Sequence, residues 1–282
     1  MSANTHINAP TQFIEAGSIR FAYRKIGKPS GIPILLLGHF RATMENWDPT
    51  ITEGLGQDRS VILFSNTGVG ATSGKTPDTV LQMAKDAIMF IEALGLKQLD
   101  LLGFSLGGFI AQQITIIRPD PVRRLVLAGT GPEGGEDMAA YPDHVTKAAI
   151  NEIPVLEDFL LLFFSQSEKS QQAGRDFWER RHLRISDVEP ASSMETMGAQ
   201  GKAIAAWGVP GSSYSQLNKI NQPVLITNGN NDIMVPTSNS YLMFRHIPSS
   251  KLILYPDSGH GFLFQYPSEF VSDVREFLNQ AL

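Results

Sequence analysis

The chain has no cysteine among its 282 residues. That excludes a disulfide framework and a thiol nucleophile, and it fits a reducing compartment. Basic runs are also missing. With 23 Lys and Arg against 28 Asp and Glu the net charge is −5, and no Lys/Arg block stands out, so nucleic acid is not an expected partner. The longest apolar run, Phe159-Leu160-Leu161-Leu162-Phe163-Phe164, is far too short to span a bilayer, and no membrane partner is expected. The opening Met1-Ser2-Ala3-Asn4-Thr5-His6 lacks the charged-then-apolar order of a secretory leader, which makes the cytoplasm the expected location. No H-x-x-x-H or H-E-x-x-H spacing occurs, so no metal site is expected. Gly68, Gly70 and Gly74 do not form a G-x-G-x-x-G opening a helix after a strand. They read as turn formers rather than a nucleotide cradle, so a bound nucleotide is not expected. Repeats and low-complexity segments are absent.

What is present is a globular pattern, 42% hydrophobic and 18% charged. The length allows two domains or one large α/β domain carrying an insertion. Strands are expected at 12–16 and 19–25 (a hairpin around Gly17), 32–37, 61–64, 99–102, 124–128, 223–227 and 251–254. Helices are expected at 79–94, from the end of the 99–102 strand onward, at about 237–246, and from Pro267 to Leu282. Strands that alternate with helices and are apolar on both faces imply a mainly parallel, doubly wound sheet. From about Gly131 to Asn218 the strand signal disappears, and 155–164, 172–184 and 194–207 look helical instead. Residues 1–130 and 219–282 therefore read as one α/β core domain, and 131–218 as a helical insertion.

The most informative stretch is Leu99-Asp100-Leu101-Leu102-Gly103-Phe104-Ser105-Leu106-Gly107-Gly108, where a strand runs through G-x-S-x-G into a helix. A serine on so sharp a turn needs small neighbours for the chain to close. The turn lifts its hydroxyl clear of the sheet and leaves backbone N–H groups at a helix N-terminus, where they can meet developing negative charge. A serine hydroxyl is a weak nucleophile at neutral pH and needs a base, itself oriented by an acid. His260, in Asp257-Ser258-Gly259-His260-Gly261, is the best base, and Asp232, in Asn228-Gly229-Asn230-Asn231-Asp232, the best acid. Each follows a predicted strand, and ligands gather at that edge of an open α/β sheet. His6, His144, His182 and His246 are expected on the surface or in the insertion, and Asp257 as a turn residue.

From these residues the chain resembles the α/β-hydrolase superfamily over nearly its whole length, in its capped branch of serine esterases and cofactor-free haloperoxidases. The order Ser105, Asp232, His260 is the one that fold uses. The resemblance implies that residues 131–218 form a cap, and that Glu133 is a reserve acid. It also implies oxyanion donors at the Leu106 N–H and, in the loop after the 32–37 strand, at the Phe40 N–H. Relatives usually read His-Gly-x there, whereas this chain reads Gly38-His39-Phe40, which brings His39, and Arg41 beyond it, toward the pocket. Arg41 reads either as a holder of a polar or anionic substrate group or as an exposed loop arginine. Ser65 and Thr67 stand where relatives often carry an aspartate and an arginine. Phe159 to Phe164, Phe177, Trp178 and Trp207 read equally as pocket walls or as the insertion's own core.

The implied activity is hydrolysis of an ester or lactone of a small, fairly apolar substrate through an acyl-enzyme, without a cofactor. A carbon–carbon bond hydrolase, a cofactor-free haloperoxidase or perhydrolase, and a non-catalytic small-ligand receptor remain open on the same residues. A small molecule is the expected partner, and the oligomeric state is open.

Overall fold

Every side chain of the strands Leu99–Phe104 and Val224–Gly229 is buried, which requires helices on both faces of the sheet they belong to. The computed structural model describes residues 4–138, 141–211 and 214–280. In chain order its elements are β1 (Gln12–Ala16), β2 (Ile19–Gly27), β3 (Ile34–Leu37), α1 (Pro49–Leu55), β4 (Ser60–Phe64), α2 (Val80–Ala93), β5 (Leu99–Phe104), α3 (Leu106–Ile117) and β6 (Val122–Ala128). They continue as α4 (Asp143–Ala149), α5 (Leu156–Phe163), α6 (Glu168–Arg181), α7 (Met194–Trp207), β7 (Val224–Gly229), α8 (Ser238–His246), β8 (Ser250–Tyr255), α9 (Phe262–Gln265) and α10 (Pro267–Asn279). The last residues of the expected closing helix, Ala281 and Leu282, lie outside the described residues.

Among the described residues the strands form one eight-stranded sheet in the order β1-β2-β4-β3-β5-β6-β7-β8. β1 and β2 pair antiparallel, as do β2 and β4, and all other pairs are parallel. This is the α/β-hydrolase fold. The edge strand β1 alternates between half-buried and exposed positions, as one solvated face demands. One face packs against α2, α3 and α8 through residues such as Phe90, Ile110, Ile114 and Met243. The other packs against α1 and α10 through Ile51, Leu55, Phe270 and Val274. Three helices, α1, α4 and the four-residue α9, carry no sequence expectation. In α1 a proline at the first position follows Asp48, whose carboxylate caps the Thr50 N–H at 2.9 Å. Helix α4 is short, with only Val145 and Ala148 buried, and α9 is a single turn with Phe262, Leu263 and Phe264 buried.

Helices α4 to α7 lie between β6 and β7, and buried polar contacts tie the segment to the rest of the chain. Arg180 grips the buried Asp48 through Nε at 3.0 Å and Nη2 at 2.6 Å. Arg184 donates to the His6 and Ile7 carbonyls. The buried Glu189 carboxylate accepts from the Met44 and Ala71 amides and, at 2.7 Å, from the Ser65 hydroxyl. Thr67 donates instead to Asp86 at 2.7 Å. The charged pair that relatives often place at Ser65 and Thr67 is thus replaced here by two hydroxyl–carboxylate bonds, one of which reaches the helical segment.

Candidate active site

Ser105 stands between β5 and α3 with φ 56° and ψ −119°, a left-handed conformation that non-glycine residues avoid and that here is held from all sides. Its amide donates to the Ala128 carbonyl at 3.0 Å, and its carbonyl accepts from the Gly108 amide and the Thr130 hydroxyl, each at 2.8 Å. The flanking glycines are steric necessities. A Cβ at Gly107 would overlap the Leu37 carbonyl, and one at Gly103 would sit 2.6 Å from the Gly108 Cα.

The loops after β7 and β8 meet beside this turn. A Cβ on Gly229 would strike the Ser258 and Gly259 carbonyls, so only glycine permits so close an approach. The Asn231 amide donates to the Ser258 carbonyl at 2.9 Å, and the Asn230 side chain accepts from the Ser258 amide. Within this frame His260 Nδ1–H donates to Asp232 Oδ2 at 2.7 Å, while Asp232 Oδ1 accepts the Met234 and Val235 amides at 2.8 and 3.0 Å. Both side chains are buried. The Nδ1–H bond leaves the His260 Nε2 with its lone pair free to act as a base. The imidazole packs on Phe104 and Phe163, with ring centres 4.9 and 5.4 Å away. Tyr141 donates to the Met234 carbonyl and stays un-ionised, its hydroxyl pushed up to about 12 by burial and then by the Asp232 charge.

Ser105 and His260 line one cavity of about 380 Å³. Among the described residues no hydrogen bond joins the Ser105 hydroxyl to the imidazole. Such contacts are often long until substrate binds. The Leu106 and Phe40 amides also have no acceptor among the described residues, whereas the next amide, Arg41, donates to Gln200 Oε1 at 2.7 Å.

The remaining candidates divide. His39 lines the cavity. Its Nδ1–H donates to the Phe40 carbonyl at 2.8 Å, its Nε2 is buried without a partner, and burial above all holds its pKa down at about 3. Arg41 also lines the cavity, but its guanidinium donates to the Asn151 and Glu152 carbonyls at 2.6 and 2.9 Å. It ties the loop after β3 to the segment before α5 instead of standing exposed. Trp207 does not line the cavity. Its ring stacks on Phe109 at 5.2 Å and its Nε1–H donates to the Gly131 carbonyl at 3.3 Å, because α7 lies along the α3 side of the sheet. Phe159, Leu162, Phe163 and Trp178 are cavity walls, whereas Phe177 stacks on Phe264 at 4.0 Å in the core. Glu133 is exposed, far from the role of a buried acid. His6 is a correction: it is buried, bonded through Nδ1 to the Thr52 hydroxyl at 3.0 Å, with its pKa lowered to about 4 chiefly by burial. Arg181 was not a sequence candidate, yet it lines the cavity beside Trp178. In the run Glu179-Arg180-Arg181 nothing local distinguishes the arginine that turns inward.

No cluster of His, Asp or Glu among the described residues could hold a metal ion, and no described helix is long and apolar enough to cross a membrane.

Comparison with known proteins agrees with this architecture. An α/β-hydrolase-fold protein from Chitinophaga pinensis is 43% identical, superposes with a TM-score of 0.94, and matches 99% of this chain and 100% of its own. A poly(3-hydroxyalkanoate) depolymerase from Ectopseudomonas oleovorans is 29% identical over 264 residues, 93% of this chain and 89% of its own length. A pimeloyl-[acyl-carrier protein] methyl ester esterase from Nitrosomonas europaea is 30% identical over 179 residues, 60% of this chain and 67% of its own. The family model for the alpha/beta hydrolase fold matches residues 32–267, and with that extent of agreement the chain belongs to the α/β-hydrolase family.

Proposed function

We propose that this α/β-hydrolase cleaves an ester or lactone of a small, fairly apolar substrate through an acyl-enzyme at Ser105. The observation that carries the reading is the buried Asp232–His260 hydrogen bond opening on the same cavity as the strained Ser105. In the first half-reaction the Ser105 hydroxyl attacks the carbonyl carbon and its proton passes to His260 Nε2. The oxyanion lies between the Leu106 and Phe40 amides, and the imidazolium returns the proton to the departing alcohol. A water then gives its proton to His260, attacks the acyl carbon and releases the acid with regeneration of Ser105. Asp232 orients the ring and offsets the imidazolium charge, remaining ionised throughout. Helices α4 to α7, within the proposed 131–218 insertion, serve as the lid, because Phe159, Leu162 and Phe163 give the cavity that Ser105 lines an apolar wall. The similarity to a methyl ester esterase supports the choice of bond.

The test is covalent labelling with a fluorophosphonate together with turnover of short-chain p-nitrophenyl esters. Stoichiometric labelling at Ser105 with rapid turnover is expected. Failure of both, with a folded protein, sinks the reading, and a small-ligand receptor would replace it.

A further inference from the structure

The cavity wall carries a guanidinium that no acceptor among the described residues answers, with the Glu45 carboxylate the one opposite charge that favours it. Arg181 Nε and Nη1 are shut away from solvent without a hydrogen-bond partner, and none of the guanidinium N–H groups has an acceptor among the described residues. The guanidinium lies over the Phe159 and Trp178 rings, 4.6 and 5.1 Å from their centres, so aromatic faces hold it in place but offer no lone pair. The other charged groups on the cavity wall are already matched. Glu45 takes Arg24 Nη2 at 2.7 Å, and Glu189 has its three donors. Asp158 accepts from the Asn151 side chain and the Val155 amide. Arg41 donates to backbone carbonyls, and Arg184 to carbonyls and Asp187. A guanidinium whose N–H groups lack acceptors is costly, and a carboxylate reaching it from the cavity through Nη2 is a well-matched partner. Burial lowers the Arg181 pKa only to about 10, so the group is cationic at neutral pH.

We propose that Arg181 binds a free carboxylate on the substrate, so that the preferred substrates are esters whose acyl part ends in a second, ionised acid. The reading relies on the ester hydrolase assignment to place the scissile carbonyl at Ser105. The same cavity also has apolar wall residues, among them Ala148, Leu162 and Phe163. The ligand class is therefore the half-ester of a dicarboxylic acid with a short hydrocarbon middle, held at one end by charge and cut at the other.

The experiment uses the Ser105→Ala protein, which binds without turnover, titrated calorimetrically with monoethyl adipate and with diethyl adipate. The half-ester is expected to bind at least tenfold more tightly, and Arg181→Met in the same background should erase that preference while Arg181→Lys restores part of it. Equal affinity for the two ligands, including no detectable binding of either, overturns the proposal, as does a preference that survives Arg181→Met. A parallel assay on the unmodified serine separates the two readings. Tight half-ester binding with no hydrolysis of any ester defeats only the hydrolase assignment. Rapid hydrolysis of both esters at equal kcat/KM defeats only the role of Arg181.

Discussion

His260 Nδ1 and Asp232 Oδ2 lie 2.7 Å apart, with both side chains shut away from solvent. The bond fixes the tautomer of the imidazole, and the two backbone amides on Asp232 Oδ1 fix the carboxylate in turn. A base so oriented can serve a nucleophile whose own position comes from a different loop.

Removing either end of this relay should reveal it. Ser105→Ala is expected to abolish nearly all ester turnover with the fold retained. Asp232→Asn should lower kcat by about 10³ to 10⁴, the range typical of such triads, because the amide favours the wrong tautomer. Steady-state kinetics decide the point, and a comparable loss in Glu133→Gln instead would place the acid after β6.

The elbow should tolerate no side chain at Gly107. A Cβ there meets the Leu37 carbonyl, so Gly107→Ala is expected to destabilise by about 1–3 kcal/mol or more, the usual cost of overpacking. Gly198, within α7, has nothing within 4 Å of the same atom. Gly198→Ala should raise stability by about 0.5–1 kcal/mol through helix propensity. Urea unfolding of the two variants measures the contrast.

Arg180 and the buried Asp48 form a two-point contact between the helical segment and the residue that caps α1. Arg180→Met strands a carboxylate that has no exposure and is expected to cost about 3–5 kcal/mol. Adding Asp48→Ala to it should cost less than the sum of the single changes. A double-mutant cycle that proves additive would show that the contact contributes nothing.

Acid should weaken the fold through two buried histidines. The pKa values of His6 and His39 are lowered from 6.5 to about 4 and about 3, so below pH 6.5 the unfolded chain binds protons that the folded one refuses. Stability is therefore complete above pH 6.5 and declines as the pH falls, by up to about 1.4 kcal/mol per pH unit for each histidine. Around His6, Arg24 and Arg184 strengthen the effect and Glu45 and Asp48 oppose it. Around His39, His260 and Arg181 strengthen it and the Phe40 carbonyl opposes it. Denaturant titrations between pH 7 and pH 4.5 should show the decline, and His6→Gln and His39→Gln should each flatten it.

The chain's own order determined the repeating strand and helix pattern, the elbow, and the acid and histidine after two later strands. Those features depend on local sterics and on apolar periodicity, which short stretches carry within themselves. Strand ends shifted by a residue or two, and α1, α4 and α9 left no signal because helices so short depend on caps and packing more than on periodicity. Only the tertiary structure decided which arginine does what. Arg41, Arg180 and Arg181 are chemically identical, and two of them are adjacent. Successive residues on a helix point about 100° apart, so Arg180 meets Asp48 while Arg181 enters the cavity. In the same way Trp207 went to the sheet's far side and Trp178 to the cavity wall. The partner of a side chain is set by whatever distant segment folds against it, and a linear sequence does not encode that proximity in any one window.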